Sequence, residues 1–376
     1  MMQIQCTKKL LDELKVKPSA PLEEEPLYSW HANLLTVGRR KTVVLVNDSN
    51  RYVVVLYGVK TKDFKKIDEL ILHAIRETFR DEGIMDEAIE QLISQSKEIS
   101  FTKTKNRTLV ARMNKACETL YFYEDLLNTD SLYQSSLSKK ISRLLVGDGK
   151  KSYIYPNKEL YKDLEGLTGR PIFSLKAMEL HVTLKLEKYK VWRRIVVPVN
   201  MTFSNLHKIL QIVFDWKDYH LHEFYIYADK PTENVLSINH LAYHEEEYQP
   251  IVNLVCSEEA FNYADEIPMK LETHVKLSEY LPAKVKYNYD FGDDWQHVIE
   301  VEEVVEDYAV NYPICLDGEG NTPPEDVGGE TGFEEFLEII ADKTHSEYEF
   351  MNTWGRRQGY QDFDIKMINL RLKSMW

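Results

Sequence analysis

The residues best suited to chemistry crowd into one short stretch. From Asp290 to His297 the chain reads Asp-Phe-Gly-Asp-Asp-Trp-Gln-His, three carboxylates and one imidazole in eight residues. On a tight loop, Asp290, Asp293, Asp294 and His297 can converge on one hard or borderline divalent cation through oxygen and nitrogen. They can equally form a carboxylate pair with one member raised in pKa for acid–base work. Gly-Asp-Asp is also hairpin-turn chemistry, in which the aspartates cap backbone N–H groups while Trp295 packs beneath. Both readings stay open, with the turn ahead.

His220-Leu221-His222-Glu223 is the second cluster. In a strand over His220–Tyr227, His220 and His222 face one side and Glu223 the other. Two imidazoles on one face can reach a first-row transition ion; the plain alternative is a pair of satisfied polar residues at a strand mouth. The ligand-binding candidates are therefore His220, His222, Glu223, Asp290, Asp293, Asp294, Trp295 and His297, and no catalytic residue is assigned. Pro323-Pro324-Glu325-Asp326-Val327-Gly328-Gly329 reads as a rigid turn whose two acids add to the acidic surroundings. In the first half, Arg39-Arg40-Lys41 is a basic turn that Lys103, Lys105, Arg107, Arg112 and Lys115 can extend, with Trp30 and His31 close in sequence. Basic residues interleaved with aromatics suit nucleic acid, although solvated surface charge explains a patch this small. No P-loop, GxSxG, HExxH or GxGxxG motif is present.

The elements that must position these residues follow from hydrophobic period. In the first half, Tyr28–Val37, Lys41–Asn47 and Tyr52–Tyr57 read as an antiparallel meander, preceded by a strand at Met2–Cys6 and a helix at Lys8–Leu14 capped by Thr7. Helical stripes follow over Asp63–Arg80, Met85–Ser94, Arg107–Leu127 and Leu132–Leu145, with Ile99–Thr102 as a further strand. Val146–Arg170 reads as connecting chain with short local structure. In the second half, Met178–Leu186 and Trp192–Val197 form a hairpin, and Thr202 caps a helix over Phe203–Phe214. Ala283–Tyr289 and His297–Val305 are strands on either side of the Asp290–Gln296 loop. Helices close the chain at Phe333–Ala341 and Asp364–Lys373. The expected fold class is α+β in two domains, each a mostly antiparallel sheet with helices packed on one face. The expected division is residues 1–165, a linker at 166–177, and 178–376.

Composition limits the function classes. The chain has 376 residues, 43% hydrophobic and 29% charged, enough for two ordinary cores. Its net charge of −14 is uneven: residues 1–175 carry 28 Lys and Arg against 24 Asp and Glu, a net +4, and the remainder carries −18. A domain this acidic repels phosphate backbones, so any nucleic-acid contact belongs to the N-terminal half. No apolar run is long enough to span a membrane, and the N-terminus lacks the features of an export signal. Cys6, Cys117, Cys256 and Cys315 stand far apart with no CxxC spacing, which suits reduced thiols in the cytoplasm rather than a paired-ligand zinc site.

Residues 178–375, roughly, resemble the plasmid pRiA4b ORF-3-like family. The resemblance rests on Trp192-Arg193-Arg194-Ile195 with Val197-Pro198, Thr202-Phe203, Leu206-His207, His220 to Phe224, and Tyr289 to Trp295 with His297. It continues through Tyr312-Pro313, Cys315, Gly318-Glu319, Pro323 to Asp326, Gly328-Gly329 and Phe336-Leu337. Family members often carry cysteines in a CPPEDCGG pattern; here those positions are Thr322 and Val327, so any thiolate site of the family is lost. The first half resembles a small family of uncharacterised bacterial domains through Cys6 to Lys9, Trp30 to Asn33, Arg39 to Lys41, Val46 to Asp48 and Asn114 to Ala116. Neither resemblance implies a known activity. The family's plasmid and transposon associations, with the charge asymmetry, imply a binding or adaptor protein that holds a protein partner or small ligand. The alternative is a metal-dependent hydrolase or nuclease built on the two Asp/His clusters, for which a divalent metal is the one cofactor the residues admit.

Overall fold

The structure is a computed structural model that describes residues 1–20, 25–95, 98–149, 152–227, 250–263 and 267–375. The chain divides into two compact units, Met1–Ser174 and Leu175–Trp376. Both are α+β, with sheets that are mostly antiparallel. Among the described residues no helix is long and apolar enough to cross a membrane.

The first unit contains β1 (Met2–Cys6), β2 (Ser29–Val37), β3 (Arg40–Asn47), β4 (Val53–Tyr57) and β5 (Ile99–Lys103), joined in the order β4-β3-β2-β1-β5. The expected meander of β2, β3 and β4 is present, but β1 runs parallel to both β2 and β5. Helices cover both faces rather than one. α1 (Lys8–Leu14), α2 (Ile67–Asp81), α3 (Asp86–Ser94) and α6 (Pro156–Thr168) share a core with Leu34, Val43, Leu45, Val54 and Leu56. α4 (Arg107–Phe122) and α5 (Ser135–Ser142) pack with Val44, Val46, Val53 and Val55 on the other side. That double cover explains why β3 and β4 are unbroken Val/Leu runs instead of alternating ones. Two short strands, β6 (Val146–Gly147) and β7 (Tyr153–Ile154), pair in the stretch read as connecting chain, and α6 was not foreseen there. Thr7 does hold the N-cap position of α1, but its hydroxyl bonds Asn33 Oδ1 at 2.9 Å instead of the helix N–H groups.

The second unit is built on β8 (Leu175–Leu184), β9 (Val191–Pro198), β10 (His222–Tyr227), β11 (Pro250–Val255), β12 (Met269–Leu271), β13 (Val285–Tyr289), β14 (Trp295–Tyr308) and β15 (Ile314–Glu319). Their order is β12-β11-β10-β13-β14-β8-β9-β15. The helices are α7 (Phe203–Val213), α8 (Gly329–Ala341), α9 (Tyr348–Arg357) and α10 (Ile365–Met375). α7, α8 and α10 share one core with a single sheet face: Phe203, Leu206 and Leu210 meet Phe224, Tyr287, Ile299, Phe333 and Leu372. Thr202 caps α7 through a reciprocal box with Asn205, as its sequence announces. β11, β12, β15 and α9 were not foreseen.

The family signature Trp-Arg-Arg-Ile has a structural use. Arg193 is 1% exposed and donates to the carbonyls of Val213, Trp192, Glu319 and Gly320 and to Thr322 Oγ1. It thus ties the end of α7 to the chain leading into the Pro323 turn. Burial lowers its pKa to about 10, so it stays charged at neutral pH.

Candidate functional site

The site is assembled where three segments leave the sheet. The first is the link from α7 to β10, where Asp215 and Asp218 adopt positive φ. The second is the turn after β13, and the third is the Pro323–Gly329 turn. They are clasped together: Trp216 Nε1 donates to the Pro323 carbonyl at 3.0 Å and the Lys217 N–H to Glu325 Oε1 at 2.8 Å. Asp293 Oδ2 accepts from the Gly328 N–H at 3.1 Å.

The β13 turn serves both readings of its sequence. Asp290, at φ 57°, uses Oδ1 to accept from the N–H groups of Gly292 (2.9 Å) and Asp293 (3.4 Å). Its other oxygen, Oδ2, lies 3.4 Å from His220 Nε2. Aspartate tolerates this left-handed backbone better than most residues, and here one oxygen holds the turn while the other is left for the cluster.

His220 is the centre of that cluster. Its Nε2 is 3.0 Å from Asp326 Oδ1, 3.4 Å from Asp290 Oδ2 and 3.7 Å from Glu325 Oε2. Glu325 is completely buried; its Oε1 accepts from the Tyr289 hydroxyl at 2.9 Å and from Lys217, while Oε2 has no hydrogen-bond partner. Burial raises the Glu325 pKa. Asp326 is half exposed, and its second oxygen accepts from Gln358 Nε2 at 3.3 Å. Donor atoms of His220, Asp290 and Asp326 all lie within 4.8 Å of one another.

A second cluster lies on the other side of the Tyr289 ring, whose centroid is 5.9 Å from that of His220 and 6.3 Å from that of His207. His207 Nδ1 meets the Tyr287 hydroxyl at 2.8 Å, and Nε2 meets Asp218 Oδ1 at 2.8 Å. Gln211 donates to the Tyr287 hydroxyl and accepts from the Asp218 N–H. One assignment satisfies every group: Gln211 donates to Tyr287, Tyr287 to a neutral His207, and His207 to Asp218. His222 stacks face to face on His207, centroids 3.4 Å apart and planes 2° from parallel, and its Nε2 meets buried Glu272 at 3.0 Å. Burial, then the neighbouring His222, lower the His207 pKa to about 4. His207, Asp218 and His222 also have donor atoms within 4.8 Å. Parallel rings, however, confine their in-plane lone pairs to two parallel planes. An ion midway would sit half the ring separation out of either plane, so this arrangement is a closed hydrogen-bond network and a poor metal site.

The structure therefore separates residues that the sequence grouped. β10 begins at His222, not His220; the ladder ends at the His222–Tyr289 pair, and His220 turns out of register towards Asp326. The two histidines thus enter different clusters. Glu223 lies across the sheet, accepting from Asn253 (2.9 Å) and Asn288 (3.2 Å). Asp293 staples the Gly328 turn, and exposed Asp294 accepts from Gln296 at 2.7 Å. Trp295 is core, stacked beyond Trp216. His297 is fully buried against Phe214 and Trp216 with Nδ1 3.3 Å from the Tyr287 carbonyl, and burial holds its pKa down at about 3. It is a neutral core residue and contributes nothing to the His220 cluster. Glu325 and Asp326, assigned to a rigid turn, belong to the cluster. His207 carried its own signal, since it and Gln211 are polar residues at i and i+4 beside the apolar stripe of α7.

In the first unit the basic turn does not combine with its supposed neighbours. Arg40 donates to the Thr129 carbonyl at 2.8 Å and Lys41 pairs with Glu13, leaving Arg39 exposed at positive φ. Trp30 and His31 are each 1% exposed and cannot stack on bases. Arg112 and Lys115 line a different cavity from the one bordered by Arg39, Arg40 and Lys41.

Comparison with known proteins returns the family suggested by the residues. Residues 176–372 match the family described as plasmid pRiA4b ORF-3-like protein, and residues 3–159 match a domain of unknown function, DUF6933. An uncharacterized protein of Sinorhizobium fredii, y4hQ, is 29% identical over 192 residues, 51% of this chain and 86% of that protein. A crystal structure of a protein of unknown function from Methanosarcina mazei Go1 is 34% identical and covers 51% of this chain and 96% of its own, with a TM-score of 0.39.

Proposed function

We propose that this chain, which belongs to the plasmid pRiA4b ORF-3-like family, is a divalent-cation-dependent binding protein, with the ion held by His220, Asp290 and Asp326 and approached by Glu325 from 3.7 Å beyond His220 Nε2. The observation that carries the reading is Glu325. A buried carboxylate whose second oxygen has no hydrogen-bond partner among the described residues, only His220 Nε2 at 3.7 Å, is costly, and the cost is relieved if that oxygen has a cation to meet. Donors bound at about 2.1 Å to one ion stand roughly 3.0–3.4 Å apart; Asp326 and Asp290 oxygens meet that spacing at 3.0 and 3.4 Å from His220 Nε2, and Glu325 Oε2 stands just outside it at 3.7 Å. Three carboxylates and one imidazole suit a borderline first-row ion such as Mn²⁺ or Zn²⁺. The competing account is a His220 that hydrogen-bonds the surrounding acids directly and needs no ion.

Binding is favoured over turnover because the polar groups beside the acids are already engaged: the Tyr289 hydroxyl with Glu325 and the Tyr219 N–H at 3.1 Å, and the Gln358 amide with Asp326. The half-exposure of Asp326 and the 29% exposure of the His220 side chain favour a second reading, a metal-dependent hydrolase, because water can reach the ion. A polyanionic substrate is disfavoured by the −18 charge of this half. Elemental analysis of the full chain after dialysis against Mn²⁺ or Zn²⁺ tests the binding reading, which expects one ion per chain. A chain that stays metal-free under both ions sinks it. Hydrolysis of a small phosphodiester by the loaded chain, absent without metal, would replace binding by turnover.

A further inference from the structure

The first unit holds a cavity of about 390 Å³ between α4, the β3–β4 face and the chain after α5. Its floor is aliphatic, with Val46, Val53 and Ile141 contributing. Among the described residues, Arg51, Arg112 and Lys115 line it, and no Asp or Glu does. A cleft of this size suits a small organic ligand, which such sites hold by apolar burial and orient by a few polar groups.

The cations differ in how far they are committed. Arg51, 8% exposed and at φ 66°, donates to the carbonyls of Gly147 and Asp148 and is thereby fixed. Arg112 reaches only the Asp148 carbonyl, at a long 3.5 Å. Burial, then the proximity of Arg112, lower the Arg51 pKa, and the nearby Asp148 carboxylate offsets them only in part. Lys115 pairs at 3.2 Å with Glu118, both largely exposed, so that pairing is weak and exchangeable. An anion entering this space would meet a fixed positive wall and a guanidinium able to form a paired contact.

We infer that this cavity binds a small organic anion, a carboxylate or phosphate monoester on an apolar body of about eight to ten carbons, with Arg112 holding the head group. This site is separate from the cation site and does not depend on it. Isothermal titration of the full chain with octanoate, octyl phosphate and octanol tests it. At least one of the two acids should bind saturably at one per chain, and octanol should bind at least tenfold more weakly. Whichever acid binds more tightly identifies the head group. Arg112→Gln should weaken the acid at least tenfold and leave octanol unchanged. Ala111→Trp, at an exposed position on the lining, should block both acids while the melting temperature is kept. Failure of both acids to saturate, equal affinity for octanol and the acids, or full affinity in Arg112→Gln would each overturn the inference.

Discussion

His220 and His222 are two residues apart in the chain, yet they stand in clusters of opposite character. The His222 cluster is sealed in its hydrogen bonds, though not from solvent: the chain Gln211–Tyr287–His207–Asp218 closes on itself, with Asp218 half exposed. The His220 cluster is unbalanced: one histidine faces three carboxylates, and Oε2 of buried Glu325 has no hydrogen-bond partner among the described residues, only His220 Nε2 at 3.7 Å. Tyr289 divides them, its ring facing both and its hydroxyl bonded to Glu325. The lesson is that a buried histidine with all its hydrogen bonds made is architecture, whereas an excess of acceptors over donors marks a place for a cation.

The contrast can be broken most strongly at His220. His220→Ala should weaken Mn²⁺ or Zn²⁺ at least 100-fold, about 2.7 kcal/mol, while changing unfolding free energy by less than about 1 kcal/mol, because the residue is partly exposed at a loop. Titration calorimetry and denaturant unfolding on the same preparation check both halves. Unchanged affinity would merge the two clusters into one structural class.

Much of this was legible in the sequence, and the failures have physical causes. The α7 cap, the β8–β9 hairpin and the loop after β13 follow from Thr202, from alternation and from Gly-Asp-Asp, all local signals. The cluster was half legible: Asp290 and His220 were candidates, and Glu325 and Asp326 were read only as a turn. What brings them together is long-range. Trp216 reaches Pro323 and Lys217 reaches Glu325 across more than a hundred residues, which no local period records. His297 misled because an imidazole beside three acids looks like a ligand, while strand alternation places it on the buried face with Trp295.

The sealed cluster should respond in the opposite way. Tyr287→Phe strips His207 of a donor and Gln211 of an acceptor in a buried site and should cost about 2 kcal/mol of stability, with metal affinity changed by less than twofold. A parallel loss of metal binding would show that the ion depends on both clusters.

A pH series sharpens the comparison further. The folded-state pKa values of His207 and His297 are lowered to about 4 and about 3, against about 6.5 in the unfolded chain. The unfolded state therefore binds more protons below pH 6.5, and stability is full above that value and lost as pH falls towards 4. Each suppressed imidazole should contribute a slope approaching about 1.4 kcal/mol per pH unit in that window. Unfolding curves between pH 7.5 and 4.5 should show the decline, and His297→Leu should flatten it; an equal slope in the variant would contradict neutral burial of His297.

Zn²⁺ titration of the chelator-treated full chain, wild type beside Glu325→Gln, shows whether the buried second oxygen of Glu325 serves a cation. The substitution keeps an acceptor for Tyr289 and Lys217 and replaces the free carboxylate oxygen with an amide. One ion per chain in the wild type and at least tenfold weaker binding in the variant is the expected result; no binding in the wild type, or equal binding in both, would contradict it.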